Sequence, residues 1–196
     1  MKKKNTKLFL IIALCVVAVV AVLSVFLIRG CGDENDESSA DVSVNTEVSE
    51  TVSDTDVMVD APVVEQLLDN VIAQEVFEGD DLPLSSQYTN AVVNSMTYEI
   101  LNVTQHSTAI VKFEYVDILK MADEYTGSSE DADAFYLYCI EKIENGAAPT
   151  IVNEVEVVIE FNEADGTFNV VSSIELADAL TGGIASEYLD ILNGRS

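Results

Sequence analysis

The chain reads as an α+β protein, and three features of the sequence say so. Apolar residues recur at helical spacing between Val63 and Val76, then at strand spacing between Ile151 and Phe161, and helical and extended stretches alternate between and after them. Helices interleaved with short hairpins imply an antiparallel sheet with helices packed on it, not the regular βαβ alternation of a parallel sheet. This folded part spans 62–196, a length that supports one domain with one core.

The elements follow in order. Val63, Val64, Leu67, Leu68, Val71, Ile72 and Val76 form one apolar helical stripe, with Asp60 and Pro62 as start signals and Gly79 as the stop. Asp80-Asp81-Leu82-Pro83 is a loop, and a short second helix is expected over Gln87–Asn94. Tyr98–Thr104 and Thr108–Val116 are rich in β-branched and aromatic residues and are joined across Gln105-His106-Ser107, which predicts a hairpin. Helix is expected again over Ile118–Ala122 and Glu130–Glu144. The latter has acids in its first turn, the stripe Phe135, Cys139, Ile140 and Ile143, and an Asn145-Gly146 stop. In Ile151–Phe161 the residues Ile151, Val155, Val157, Ile159 and Phe161 share one face, while Glu154, Glu156 and Glu160 share the other. A sheet with one buried and one wet face is antiparallel and covered on one side. Asp165-Gly166 turns the chain into Phe168–Val171, and Ser172-Ser173-Ile174-Glu175 reads as a capping box opening a helix that stops at Gly182-Gly183. A last helix is expected over Ser186–Leu192.

Upstream of the domain lies a different kind of sequence. Residues 1–7 hold four lysines, and Leu8–Ile28 is an uncharged run of 21 residues whose one polar member is Ser24. At about 1.5 Å per residue it spans roughly 31 Å, the thickness of a bilayer core. With lysines on its N-terminal side, the positive-inside rule places the N-terminus in the cytoplasm and the rest outside, as a single-pass cell-membrane protein. A cleaved secretory signal fits poorly, because the run is too long and no Ala-x-Ala follows. A second anchor does compete: Ile28-Arg29-Gly30-Cys31-Gly32 resembles the end of a bacterial lipoprotein signal, with Cys31 as the lipidated residue, although Arg29 is out of pattern. Both anchors leave the domain tied to the outer side of a membrane.

Residues 29–61 read as a disordered acidic linker. Between Cys31 and Asp60 there are ten Asp or Glu, eight Ser or Thr, no Lys or Arg and no aromatic residue. A neutral flexible chain of that length spans about 30 Å, and like charges extend it.

Charge and cysteine usage narrow the function classes. All 35 acidic residues lie beyond Ile28, against five basic ones, a formal charge of −30. That field repels phosphate backbones and anionic headgroups, so nucleic acid is excluded as a partner; the charge suits first a solvated surface that resists aggregation and, as the alternative, a basic or cationic envelope partner. Cys15, Cys31 and Cys139 are too scattered for a disulfide framework. With no Cys-x-x-Cys and a single histidine, His106, no metal or other cofactor is expected.

Tyr98-Glu99-Ile100-Leu101-Asn102-Val103, Ala109-Ile110-Val111-Lys112-Phe113 and Leu176-Ala177-Asp178-Ala179-Leu180-Thr181-Gly182-Gly183 resemble segments of NTF2-like (cystatin-like) outer domains of Gram-positive surface proteins. The likeness covers residues 63–185. It departs where such domains often carry a tryptophan before the final helix and this chain has Phe168. The resemblance implies a curled sheet around a helix with an apolar conical pocket. It implies no activity, since that fold hosts enzymes and inert modules alike.

No catalytic residue stands out. His106 sits in a polar turn with no nucleophile pattern near it, Asp131 and Asp133 suit a helix start, and Asn162–Gly166 lacks the ladder of a calcium loop. Asp117 is the candidate carboxylate. The simpler reading is that it caps the helix opening at Ile118; the alternative is that, continuing the apolar phase Ala109, Val111, Phe113, Tyr115, it enters the cone, where NTF2-like isomerases and dehydratases place an acid. Two functions follow: a tethered binding or sensing module without catalysis, or a pocket enzyme using Asp117 as acid or base with Tyr98 or Tyr115.

Overall fold

The computed structural model describes residues 59–104, 107–128, 131–163 and 166–194. The anchor run 8–28, Cys31, nearly all of the linker and His106 lie outside the described residues. Among those described, no helix is long and apolar enough to cross a membrane.

The described residues form six helices and a four-stranded antiparallel sheet in the order β1-β2-β3-β4. The helix α1 (Ala61–Gln74) opens on Asp60, whose Oδ1 accepts from the Val63 N–H at 3.1 Å, with Pro62 in the first turn. It stops at Gln74, well before Gly79. Asn90 supplies the reason, because its side chain accepts from the Phe77 N–H at 2.8 Å and donates to the Phe77 carbonyl at 2.9 Å. That two-point clamp draws the chain out of the helix toward α2 (Leu84–Ser95), which starts directly after Pro83, three residues earlier than its apolar pattern suggests.

Strands β1 (Thr97–Val103) and β2 (Thr108–Val116) pair as the expected hairpin, with a register shift at Leu101. Two helices, α3 (Ile118–Glu124) and α4 (Ala132–Glu144), then carry the chain to β3 (Thr150–Asn162). β3 pairs antiparallel with β2 along Thr150–Val158, so the two predicted hairpins merge into one sheet. Its far end, Ile159–Asn162, pairs with β4 (Thr167–Val170). The last helices are α5 (Ile174–Thr181) and α6 (Ile184–Leu192).

The cap of α5 corrects the expected box. Ser173, not Ser172, is the N-cap, and its Oγ accepts from the Leu176 N–H at 3.1 Å. Glu175 therefore sits one position too early to reach back in a reciprocal box. At the other end Gly182 (φ +72°) and Gly183 (φ +84°) are both left-handed, which lets α6 begin two residues before its predicted start. A Cβ at Gly182 would collide with the Ile118 side chain, so glycine is required there for close approach as well.

Two packed clusters hold the domain. Ala109, Val111, Phe113, Tyr115, Val155, Val157 and Ile159 line the concave sheet face and pack against Val64 and Leu68 of α1 and Leu176, Ala179 and Leu180 of α5. Helix α1 touches both β1 and β4, so the sheet curls around it. A second cluster, with Tyr88, Val92, Ile118, Met121, Phe135, Cys139 and Ile184, joins α2, α3, α4 and α6. The alternation along β3 holds through Val155, Val157 and Ile159, all buried. It fails at Phe161, 44% exposed, which has passed the end of β2 and packs in a tilted pair with Phe168, ring centroids 5.2 Å apart.

Candidate functional site

The apolar phase of β2 ends in a polar corner. Phe113 and Tyr115 are buried in the concave core, and Asp117 follows in the same phase, one residue beyond the strand. The Asp117 N–H donates to the Pro149 carbonyl at 2.8 Å, which extends the β2–β3 ladder by one step. Its carboxylate is the N-cap of α3, with Oδ1 accepting from the Lys120 N–H at 2.8 Å. The capping geometry weighed from the sequence is therefore the one Asp117 adopts.

Tyr115 lies beside it. Its phenol oxygen accepts from the Asn153 side-chain amide at 2.8 Å. Burial raises the phenol pKa above its ordinary value, the negative charges of Asp178 and Asp117 raise it further, and the Asn153 hydrogen bond works against them. Asp178 is committed in turn, because its Oδ1 accepts from the Ser186 N–H at 2.9 Å and so ties α5 to the first turn of α6. The corner thus assembles Tyr115, Asp117, Asn153 and Asp178 from β2, the α3 cap, β3 and α5.

Tyr98, the other tyrosine paired with Asp117 in the sequence reading, is held elsewhere. Its hydroxyl donates to Asp69 Oδ1 of α1 at 2.6 Å, with the Glu65 carbonyl 3.3 Å away. Burial and those two acids drive its pKa far above the usual tyrosine range. Both phenols therefore stay protonated near neutral pH, and both carboxylates of the corner already accept backbone N–H groups. General-base work needs a group poised near the working pH and facing a substrate. The corner instead offers hydrogen-bonding groups engaged in joining elements.

Space tells the same story. Among the described residues the concave face is closed by α1 and α5, with Ala109, Val111 and Phe113 at 0% exposure. A hollow bounded by Ser128, Asp131, Ala132 and Asp133 lies instead at the start of α4, shallow and open to solvent. There Asp131 caps the helix, its Oδ1 accepting from the Ala134 N–H at 3.0 Å, and Asp133 sits in the first turn. Among the described residues no group of three or more His, Cys, Asp or Glu comes together as a metal site.

No family model, curated protein or solved structure matches this chain.

One titratable residue was missed in the sequence. Glu75 follows α1 and is only 6% exposed, and burial pushes its carboxyl up to about 7. A signal existed: Glu75 falls on the stripe Leu68, Val71, Ile72 at helical spacing, where a solvated acid does not belong. The convex sheet face is a further charged surface. Glu99, Glu114, Glu154, Glu156 and Glu160 stand exposed on it. Lys112 ion-pairs with Glu99 at 3.6 Å, and Glu114 Oε1 accepts from the Thr150 hydroxyl at 3.2 Å.

Proposed function

We propose that this chain is a membrane-tethered, extracytoplasmic binding or sensing module of the cell envelope, and that its domain works through its acidic surface and not by catalysis. The observation that carries the non-catalytic reading is the filled concave face. In a cystatin-like enzyme that face encloses the substrate, whereas here Phe113 and Tyr115 occupy it and the Asp117 carboxylate is bound to the Lys120 N–H. The curl of the sheet around α1 supports the likeness to NTF2-like outer domains, and the apolar run Leu8–Ile28 supports the tether. The strong negative charge beyond Ile28 favours a basic or cationic envelope partner. An isomerase- or dehydratase-type enzyme working through Asp117 would first have to release that helix cap.

External protease applied to intact cells tests the reading. It should strip the domain and leave a short N-terminal fragment in the membrane, resistant to a high-salt wash. A domain protected until the cells are lysed would refute it. Incorporation of a lipid precursor that depends on Cys31 would replace the helix anchor with the lipid one while keeping the domain outside.

A further inference from the structure

β3 carries a stretch of open backbone in the middle of the fold. Two bonds fix which residues face β2: the Ile159 N–H donates to the Ser107 carbonyl at 2.8 Å, and the Asp117 N–H to the Pro149 carbonyl at 2.8 Å. Odd-numbered β3 residues therefore direct their N–H and C=O groups to β2, and even-numbered residues direct theirs the other way. On that second side the Val171 N–H reaches the Val158 carbonyl at 2.8 Å, and β4 covers only Ile159–Asn162. The chain then departs into α5, whose Leu176 and Leu180 pack over the concave face. Among the described residues, the edge-facing groups of Val152, Glu154 and Glu156 thus have no strand beside them. Exposure agrees, for Thr150, Val152, Asn153 and Glu154 are all exposed although Asn153 lies on the concave side.

Open edges are usually blunted. β1 carries an irregularity at Leu101, and β4 is four residues long. The β3 stretch has neither device, nor a proline or lysine, and is guarded only by the like charges of Glu154 and Glu156. Its flanking convex-face side chains are Glu154 and Glu156, which form no ion pair among the described residues. A strand added there would lay alternate side chains beside those two carboxylates. A second copy of β3 brings like charge, and so does the acidic linker of this chain, with its ten Asp or Glu and no Lys or Arg. We propose that the open edge of β3 at Thr150–Glu156 docks an extended segment of a partner protein that carries Lys or Arg at alternate positions. This deepens the reading of the domain as an envelope binding module and rests on it for where the partner is met.

The test uses the full chain in nanodiscs and a capped eight-residue peptide alternating Lys and Thr. In the free protein the amides of Val152, Glu154 and Glu156 should exchange with solvent faster than those of Asn153, Val155 and Val157, and saturating peptide should slow them at least about tenfold. The acidic linker will attract any basic peptide, so the controls vary backbone and not charge. N-methylation of alternate peptide residues, or Val152→Pro in the protein, should weaken binding about tenfold by removing edge hydrogen bonds. Glu154→Gln with Glu156→Gln should weaken it too and flatten its salt dependence, and this variant serves where the proline variant fails to fold. Edge amides already protected in the free chain would overturn the proposal, as would equal affinity for methylated and unmethylated peptides. Either result leaves the envelope reading standing if external protease still strips the domain; a protease-shielded domain overturns that reading whatever the peptide does.

Discussion

Replacing Glu75 by glutamine probes the one buried carboxyl among the described residues whose ionisation lies near neutral pH. Its side chain is 6% exposed, and burial raises its pKa from 4.5 to about 7. A raised carboxyl pKa means the folded state holds its proton more tightly than the unfolded state. The fold is thus favoured at low pH and loses stability as pH climbs from the unfolded value toward 7. Integrating that difference between pH 5 and pH 8 gives a loss of about 2.5 kcal/mol in wild type that Glu75→Gln cannot show. The remaining carboxylates titrate in both proteins, so the difference between the two isolates Glu75. The range stays above the isoelectric point of about 4.1, where the protein would tend to precipitate. Thermal unfolding of the full chain in detergent, followed by circular dichroism, should show the variant gaining on wild type by roughly 6–12 °C from pH 5 to pH 8. A difference that stays flat, or that moves in favour of wild type as pH rises, would refute burial as the governing effect.

Two further outcomes follow from the caps and the core. Asp117→Ala should cost about 1 kcal/mol in chemical denaturation while Asp117→Asn costs little, because asparagine also accepts the Lys120 N–H; equal losses would show that the cap is not what Asp117 supplies. Cys139, at 0% exposure against Phe135 and Met121, should react slowly with a thiol reagent in the native protein and quickly in denaturant, and rapid native labelling would mean the α4 face is wrongly placed.

The sequence alone was enough to determine the class of the fold and most of its elements, because those depend on periodicity and on short-range chemistry. The β3 alternation, the strand-forming runs on either side of Ser107 and the Asp60 start of α1 are all written in neighbouring residues. Boundaries were less legible where a distant residue decides them. Asn90 ends α1 early through Phe77, and two left-handed glycines allow α6 to start at Ile184. The candidate site divides in the same way. Asp117 was visible as a carboxylate in an apolar phase, with capping as one of its two outcomes, but only tertiary contacts decided between them and placed Asn153 and Asp178 beside Tyr115. The pairing of β2 with β3 is the largest feature that local pattern left open. Its two strands are separated by α3 and α4, so no turn residue encodes their register. That register follows from burying Ala109, Val111, Phe113 and Tyr115 on the same face as Val155, Val157 and Ile159, and the same choice leaves the far edge of β3 at Thr150–Glu156 without a strand beside it among the described residues.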